Sequence, residues 1–339
     1  MRVKKLAYAP PYQLTADILQ KVSEISLALG RWQASNTQPL SPRLRRSQRI
    51  RTIQASLAIE ANTLTVEQVT ALMGGKRVLA PVKEVQEVRN AIATYELLPE
   101  WQVHREPDLL AAHRQLMLGL VDDAGRYRSG GVGIYRDGAL LHMAPPASRV
   151  PKLMADLLSW LGRGEVHPLI ASCVFHYEFE FIHPFADGNG RMGRLWQTLI
   201  LSQWNPLLAW LPVETVVREQ QAAYYQAIGD STRQSSSTPF IEFMLRALLS
   251  TLHIAGNSDQ VGDQVSDQVR QLLKALRGSE SLKAAELMQR LKLKHRPSFR
   301  SRYLGPALTA GLIEMCAPDS PRSPLQRYRL SSIGAKLKP

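Results

Sequence analysis

Cysteine is nearly absent from this 339-residue chain: Cys173 and Cys316 are the only two, which excludes a disulfide framework and leaves no zinc ribbon to build. Long hydrophobic runs are missing as well. Charge or proline interrupts every apolar stretch well before the ~20 residues that a bilayer crossing needs. The N-terminus lacks the apolar core and cleavage site of a signal peptide. The expectation is a soluble, unexported protein of the reducing cytoplasm with no membrane partner. Neither charge nor apolar residues are extreme, at 21% and 45%, which argues against disorder and against a fibrous repeat. Acidic residues are in short supply, 29 against 42 basic, for a formal charge of +13. The length exceeds one average domain and suggests two or three.

The positive charge is concentrated. Between Val265 and Pro339 fifteen basic residues face five acidic ones, so ten of the thirteen excess charges lie in the last fifth of the chain. Such a bias favours acidic partners, nucleic acid or nucleotides. A second basic run, Arg43, Arg45, Arg46, Arg49 and Arg51, precedes Ile53 and Leu57 at helical spacing and reads as a solvated helix face.

Tyr8 to Leu14 holds Pro10 and Pro11 and reads as an extended arm. From Thr15 onward Ile18, Val22, Ile25 and Leu29 recur at helical spacing. Further helical patterns cover 45–59, 65–73, 82–98, 107–118, 150–161, 168–181, 191–202, 218–231 and 239–254, which makes the body mostly α. One exception stands out. Val132 to Tyr135 and Ala139 to His142 are strand-like runs around Asp137-Gly138, a hairpin signal. A period-four Asp-Gln-Val repeat from Asp259 to Val269 predicts a packed helical stripe, and Gly256-Asn257 before it marks a domain boundary.

Beyond that boundary Val269 to Leu276, Ala284 to Leu293 and Ser298 to Gly311 read as three helices, the last closed by a C-cap glycine although Pro306 limits its regularity. Leu312 to Met315 and Gln326 to Leu330 read as two strands. Three helices and a β-ribbon resemble a winged helix. The start of its third helix then presents His295, Arg296, Ser298, Arg300, Ser301 and Arg302 to a DNA major groove, and the wing carries Arg322, Arg327 and Arg329. Such modules also dock proteins.

The stretch His183-Pro-Phe-Ala-Asp-Gly-Asn-Gly-Arg-Met-Gly-Arg194 carries the densest chemistry. Pro184, Gly188 and Gly190 forbid continuous helix, and helical spacing resumes at Arg191. A glycine-rich loop therefore feeds a helix N-terminus, whose free N–H groups cradle an anion, with Asn189 as a further side-chain donor. Arg191 and Arg194 lie three apart and reach the same side. A polyphosphate suits this loop. Asp187 offers the hard oxygen that Mg²⁺ prefers, phosphates and waters completing the shell. His183, with an unperturbed pKa of ~6.5, suits proton removal from a hydroxyl. Phe185 reads as a core anchor.

These residues resemble the Fic family, whose signature is His-x-Phe-x-Asp/Glu-Gly-Asn-Gly-Arg-x-x-Arg, and every defined position is met. The likeness extends over nearly the whole chain: the proline arm, the helical body, Gly125-Arg-Tyr-Arg128, the hairpin ending in His142 and the C-terminal module. It implies a Fic-type helical bundle with a β-hairpin flap, plus a C-terminal winged-helix domain. The division expected is a regulatory region over 1–105, a catalytic core over 106–255, and a linker helix with winged helix over 256–339.

The resemblance implies protein adenylylation: with Mg²⁺ present, AMP passes from ATP to a Ser, Thr or Tyr hydroxyl of a target protein or of the chain itself. Carried over position by position, His183 is the base, Asp187 the Mg²⁺ ligand, Gly188, Asn189 and Gly190 the phosphate cradle, and Arg191 and Arg194 the partners of the β and γ phosphates. The hairpin is similar to the family's flap, with Ile134, Tyr135, Leu140 and Leu141 lining an edge to which a target segment adds as a strand. A homodimer is compatible with all of this.

Ser56-Leu-Ala-Ile-Glu60-Ala-Asn62 resembles the family's inhibitory helix, Ser/Thr-x-x-x-Glu-Gly/Asn. That likeness implies that Glu60 pairs with Arg194 and blocks productive binding of the γ phosphate. Ala61 stands where glycine or asparagine is usual. Other residues read as structural: His176 as a hydrogen-bonded core histidine rather than a metal ligand, His142 likewise, and Cys173 as a small buried side chain. Two further functions stay open, a DNA-binding regulator that senses nucleotide, and removal of AMP from a modified protein with Glu60 positioning water.

Overall fold

The computed structural model describes residues 8–35, 40, 42–136, 139–259, 267–293, 295–309, 311–317, 323, 326–331 and 334–335, with backbone alone at 35, 43, 134–136, 139–142, 255–259 and 267. The chain divides into two compact units, Met1–Ala255 and Gly256–Pro339. Among the described residues no helix is long and apolar enough to cross a membrane.

In the first unit the arm from Tyr8 is extended and tied down. Arg163 donates to its Tyr8 carbonyl (2.7 Å), the Tyr8 hydroxyl donates to Glu178 (3.1 Å), and the Ser237 N–H donates to the Pro11 carbonyl (2.9 Å). Helices follow as α1 (Ala16–Ser35), α2 (Pro42–Ile59), α3 (Val66–Met73), α4 (Val82–Glu96) and α5 (Glu106–Leu116). Thr65 caps α3 through a capping box with Gln68, which is why that helix starts where it does. The hairpin pairs β1 (Gly133–Arg136) antiparallel with β2 (Ala139–Met143), with an irregularity between Ile134 and Tyr135. The turn at Asp137-Gly138 lies outside the described residues, as do the side chains of Ile134, Tyr135, Leu140, Leu141 and His142.

The unit closes with α6 (Val150–Gly162), α7 (Pro168–Ile182), α8 (Asn189–Trp204), α9 (Val213–Glu219), α10 (Gln221–Gln234) and α11 (Thr238–Asp259). One continuous helix was expected over 218–231; the backbone instead breaks at Gln220 between α9 and α10. Almost every residue of α7 is buried, as its all-round apolarity requires, and it packs on the equally buried α8. Close approach depends on Gly193, where a Cβ would come within 2.7 Å of the His176 ring. His176 is fully enclosed, with Nδ1 2.6 Å from Gln197 Oε1 and Nε2 3.1 Å from the Tyr224 hydroxyl. Burial pushes its pKa down to about 3, so the ring is neutral and structural. Cys173 is buried too, its thiol pushed up to about 12 by desolvation.

The basic run on α2 departs from its expected reading. Arg46 and Arg51 are exposed, but Arg49 lies between two rings, 4.6 Å from the Tyr95 centroid and 4.7 Å from that of Trp210, and Arg45 lies 5.6 Å over Trp210. The aromatic partners come from distant segments, so charge and spacing on α2 alone could not show them.

In the second unit α12 (Asp267–Leu276) and α13 (Ala284–Arg290) pack with a third helical stretch around Leu272, Leu276, Leu287, Phe299 and Leu304. That stretch is not the single helix expected over 298–311. It runs as α14 (Arg296–Phe299), a π turn (Arg300–Leu304) and α15 (Gly305–Thr309), because Pro306 has no N–H to continue the ladder. Gly311 follows at φ 66°, the left-handed conformation its C-cap reading calls for. The sheet has three strands: β3 (Leu282–Lys283), β4 (Ile313–Met315) and β5 (Arg327–Leu330), all antiparallel in the order β3-β5-β4. The two-residue β3 was not foreseen. Arg322 and the centre of the Asp-Gln-Val repeat lie outside the described residues.

Candidate active site

Helix α7 ends on His183, whose backbone is left-handed (φ 49°, ψ 62°), and Pro184 turns the chain away. A non-glycine residue in this region is strained and persists only when its surroundings enforce it. Arg128 enforces it here: its Nε donates to the His183 carbonyl (2.7 Å), its Nη2 to the carbonyls of Ile182 (3.3 Å) and Pro145 (2.6 Å), and its backbone N–H to Pro184 (2.9 Å). Because Pro145 and Gly130, which accepts from Nη1, flank the hairpin, one guanidinium locks hairpin and loop together.

The loop itself is built from inside. Phe185 is fully buried and stacks on His113, ring centroids 3.6 Å apart and planes 3° from parallel. The Gly125 N–H donates to His113 Nδ1 (2.8 Å), so the proton of the neutral ring sits on Nε2 and donates to the Asp187 carbonyl (3.0 Å). Burial first of all keeps His113 below its ordinary pKa and therefore in that neutral form. Asn189 is buried, its Oδ1 accepting from the Phe185 N–H and its Nδ2 donating one hydrogen to the Phe185 carbonyl, both at 2.9 Å. Through these bonds it shapes the loop that forms the cradle. Gly188 takes φ 84° at the N-cap of α8, the conformation that only glycine adopts cheaply.

Both motif arginines are buried, and both are already paired. Arg191 meets Asp187 (3.1 Å) and Glu87 of α4 (3.3 Å). Arg194 donates to the Ser56 hydroxyl and carbonyl (3.0 Å each) and to Glu60 Oε1 (2.7 Å), which brings the expected inhibitory pair into contact. The Glu60 carboxylate also lies against Gly190, where any Cβ would overlap it. A carboxylate thus rests on the glycine cradle and on the arginine that the sequence assigns to an anion. Although burial opposes the charge on Arg194, Glu60 together with Tyr224 and Glu180 outweighs it and holds the guanidinium above its usual range.

Helix α2 ends without the expected glycine or asparagine. The Asn62 N–H bonds back to the Leu57 carbonyl and the Ala61 N–H to Ala58 (3.1 Å each), a Schellman closure with Ala61 itself left-handed at φ 67°. Asn62 then donates to Glu87 (2.8 Å), linking the end of α2 to the partner of Arg191. Because an L-residue there is strained by roughly 1–2 kcal/mol, partly offset by glycine's larger unfolded-state entropy, Ala61→Gly is expected to stabilise the chain by about 0.5–1 kcal/mol. Urea unfolding reads this as a higher midpoint with unchanged slope; a lower midpoint would contradict the left-handed assignment.

Two site residues had escaped the sequence reading. Glu87 is one. The other is Glu180, buried on α7 with one oxygen 3.9 Å from His183 Nδ1 and the other 3.9 Å from His176 Nε2. Desolvation pushes its pKa up to about 7. Its position three residues before His183 on one helix was the only signal available. For a metal, Asp187 has one oxygen held by the Gly188 N–H and Arg191, and the other makes no hydrogen bond to a described residue. No group of three or more His, Cys, Asp and Glu able to hold a metal occurs among the described residues. The donor set fits an oxygen-bound Mg²⁺ whose remaining ligands are phosphate and water, not an all-protein cage.

The residues expected to meet DNA divide. Arg296, Arg300 and Arg302 are exposed on the third helical stretch, while Ser298 bonds His295 (2.7 Å). Arg327, expected on the wing, is instead tied to the Ser281 hydroxyl (2.9 Å) and carbonyl (2.8 Å) and faces Glu286, so it braces β5 against β3 and α13.

Comparison with known proteins places the chain in a family. A Fic/DOC family profile matches residues 104–201, and a "Filamentation induced by cAMP protein Fic-like, C-terminal domain" profile matches 267–331. A crystal structure of a Fic family protein from Desulfovibrio desulfuricans G20 is 60% identical, covering 96% of this chain and 99% of that one with a TM-score of 0.73. The Protein adenylyltransferase Fic of Drosophila virilis is 27% identical over 261 residues, 71% of this chain and 51% of the relative. That of Nematostella vectensis is 28% identical over 213 residues, 59% of this chain and 47% of the relative. The chain thus spans about half the length of the curated relatives it matches.

Proposed function

Because the chain belongs to the Fic family, we propose that it is a protein adenylyltransferase restrained by its own Glu60. The observation that carries this reading is the Glu60 carboxylate lying on both Gly190 and Arg194 at the start of α8, a protein anion in the place prepared for a phosphate.

In this reading the triphosphate lies across the N-terminus of α8. The backbone N–H groups of Gly188 to Gly190 and the guanidinium groups of Arg191 and Arg194 hold its oxygens once the carboxylates withdraw. Asp187 would hold Mg²⁺, which supplies neutralisation of phosphate charge. A target segment adds to the hairpin, which among the described residues is a two-stranded sheet with no third strand paired to it. His183 takes the proton from the target hydroxyl, the oxygen bonds to the α-phosphorus, and the bond to the bridging oxygen of the β-phosphate breaks. Pyrophosphate leaves and AMP stays on the protein. Phosphoryl transfer of this kind needs mainly alignment and charge stabilisation, which the loop, two arginines and an oriented imidazole supply.

The full chain, wild type and Glu60→Gly, incubated with ATP and Mg²⁺ beside lysate proteins is expected to produce adducts one AMP residue heavier by intact mass. The absence of nucleotide-dependent adducts from both forms would overturn the reading.

A further inference from the structure

A second cavity, of about 620 Å³, lies in the first unit between the N-terminal half of α2, the end of α4 and the segment after α8. None of the motif residues from His183 to Arg194 lines it. Its charged lining is Arg45, Arg46, Arg49 and Glu96, and none of these arginines forms an ion pair with a described residue. Its apolar lining includes Met73, Ile92, Leu98 and Leu199. The volume suits a drug-sized molecule.

Arg49 is the unusual member. Its guanidinium lies against the rings of both Tyr95 and Trp210, and Arg45 makes a longer contact with Trp210, so Arg49 in particular is positioned before any ligand arrives. Arg45 Nε and Arg49 Nη1 are shut off from water with no acceptor among the described residues. Desolvation draws the pKa of Arg49 down, a cost that Tyr95, the buried Glu214 and Glu96 only partly relieve. A simple packing role for these arginines would be filled by neutral side chains without that cost. Preorganised cations at one side of an apolar cavity match an anion with a hydrophobic body.

We propose that this cavity binds a small amphipathic carboxylate or phosphate, its anionic oxygens at Arg45 and Arg49 and its apolar part against Met73, Ile92, Leu98 and Leu199. Arg49 lies about 10 Å along α2 from Ser56, so the ligand would sit on the helix that also carries Glu60.

Calorimetric titration of the full chain with decanoate, decyl phosphate and uncharged decanol, each below micelle formation, tests this. One saturable site is expected for at least one anion, the better head group identifying the ligand class, with decanol at least about tenfold weaker, since a charge-assisted hydrogen bond is worth ~1.5–3 kcal/mol. Arg49→Met is expected to weaken the anion by about tenfold or more; Arg45→Gln, and Ala209→Phe to fill the cavity, carry the test should that variant fold poorly. His183→Asn is expected to bind like wild type, which separates this site from the adenylylation reading. Equal binding of decanol, no saturable site, or indifference to Arg45→Gln and Ala209→Phe would overturn the proposal.

Discussion

Replacing Glu60 by glycine is expected to raise AMP transfer by about ten- to a hundredfold. The carboxylate makes one short charge-assisted bond to Arg194 and covers Gly190, and a bond of that kind is worth roughly 1.5–3 kcal/mol, which converts to that range of rates. Glu60 is itself partly exposed, so its removal strands no buried carboxylate. Arg194, by contrast, is left buried with the Ser56 hydroxyl and carbonyl as its remaining close partners and gains an incentive to take up a phosphate. Glu60→Gln separates charge from bulk: it keeps the side chain over Gly190 but weakens the pair, and is expected to fall between wild type and glycine. Quantifying AMP adducts over time by mass spectrometry checks the order. Equal rates for all three would remove Glu60 as the restraint.

The second large effect is loss of transfer on replacing His183. General-base catalysis contributes roughly 10²–10⁴, so His183→Asn is expected to lower the rate of the Glu60→Gly form by about that factor. Asparagine is the informative choice because it tolerates the left-handed backbone that His183 adopts, so the carbonyl held by Arg128 should stay in place. Nucleotide affinity is expected to stay within about twofold, since the imidazole is not part of the phosphate cradle. A loss of affinity as large as the loss of rate would mean that His183 shapes the pocket rather than moving a proton.

The local code of this chain was open to sequence reasoning, and its long-range pairings were not. The proline arm, the helical patterns, the hairpin and the loop opening α8 followed from periodicity, turn residues and a dense motif. The pair of Glu60 and Arg194 came only through resemblance to a family, because residues 134 apart leave no periodic trace. For the same reason Glu87 behind Arg191, the rings around Arg49 and the bracing of Arg327 were missed. Arg128 stood inside a noted segment, yet its task of holding the His183 carbonyl depends on where three other segments meet. Ala61 taught a different lesson. Its side chain disfavours the left-handed turn, but the Schellman bonds and the Asn62 contacts to Glu87 and Glu84 hold it there, so context outweighs propensity. Pro306 worked the other way, breaking a helix that hydrophobic spacing alone would have drawn as continuous.

In the proposed reading the loop from His183 to Arg194 is a triphosphate site that Glu60 obstructs. A crystal structure of Glu60→Gly with a non-hydrolysable ATP analogue and Mg²⁺ tests it most directly. The triphosphate is expected across the N-terminus of α8, with the terminal phosphate on Arg194 and the His183 imidazole facing the α-phosphorus. A nucleotide seated elsewhere, or an imidazole turned away from it toward Glu180, would rule out this site.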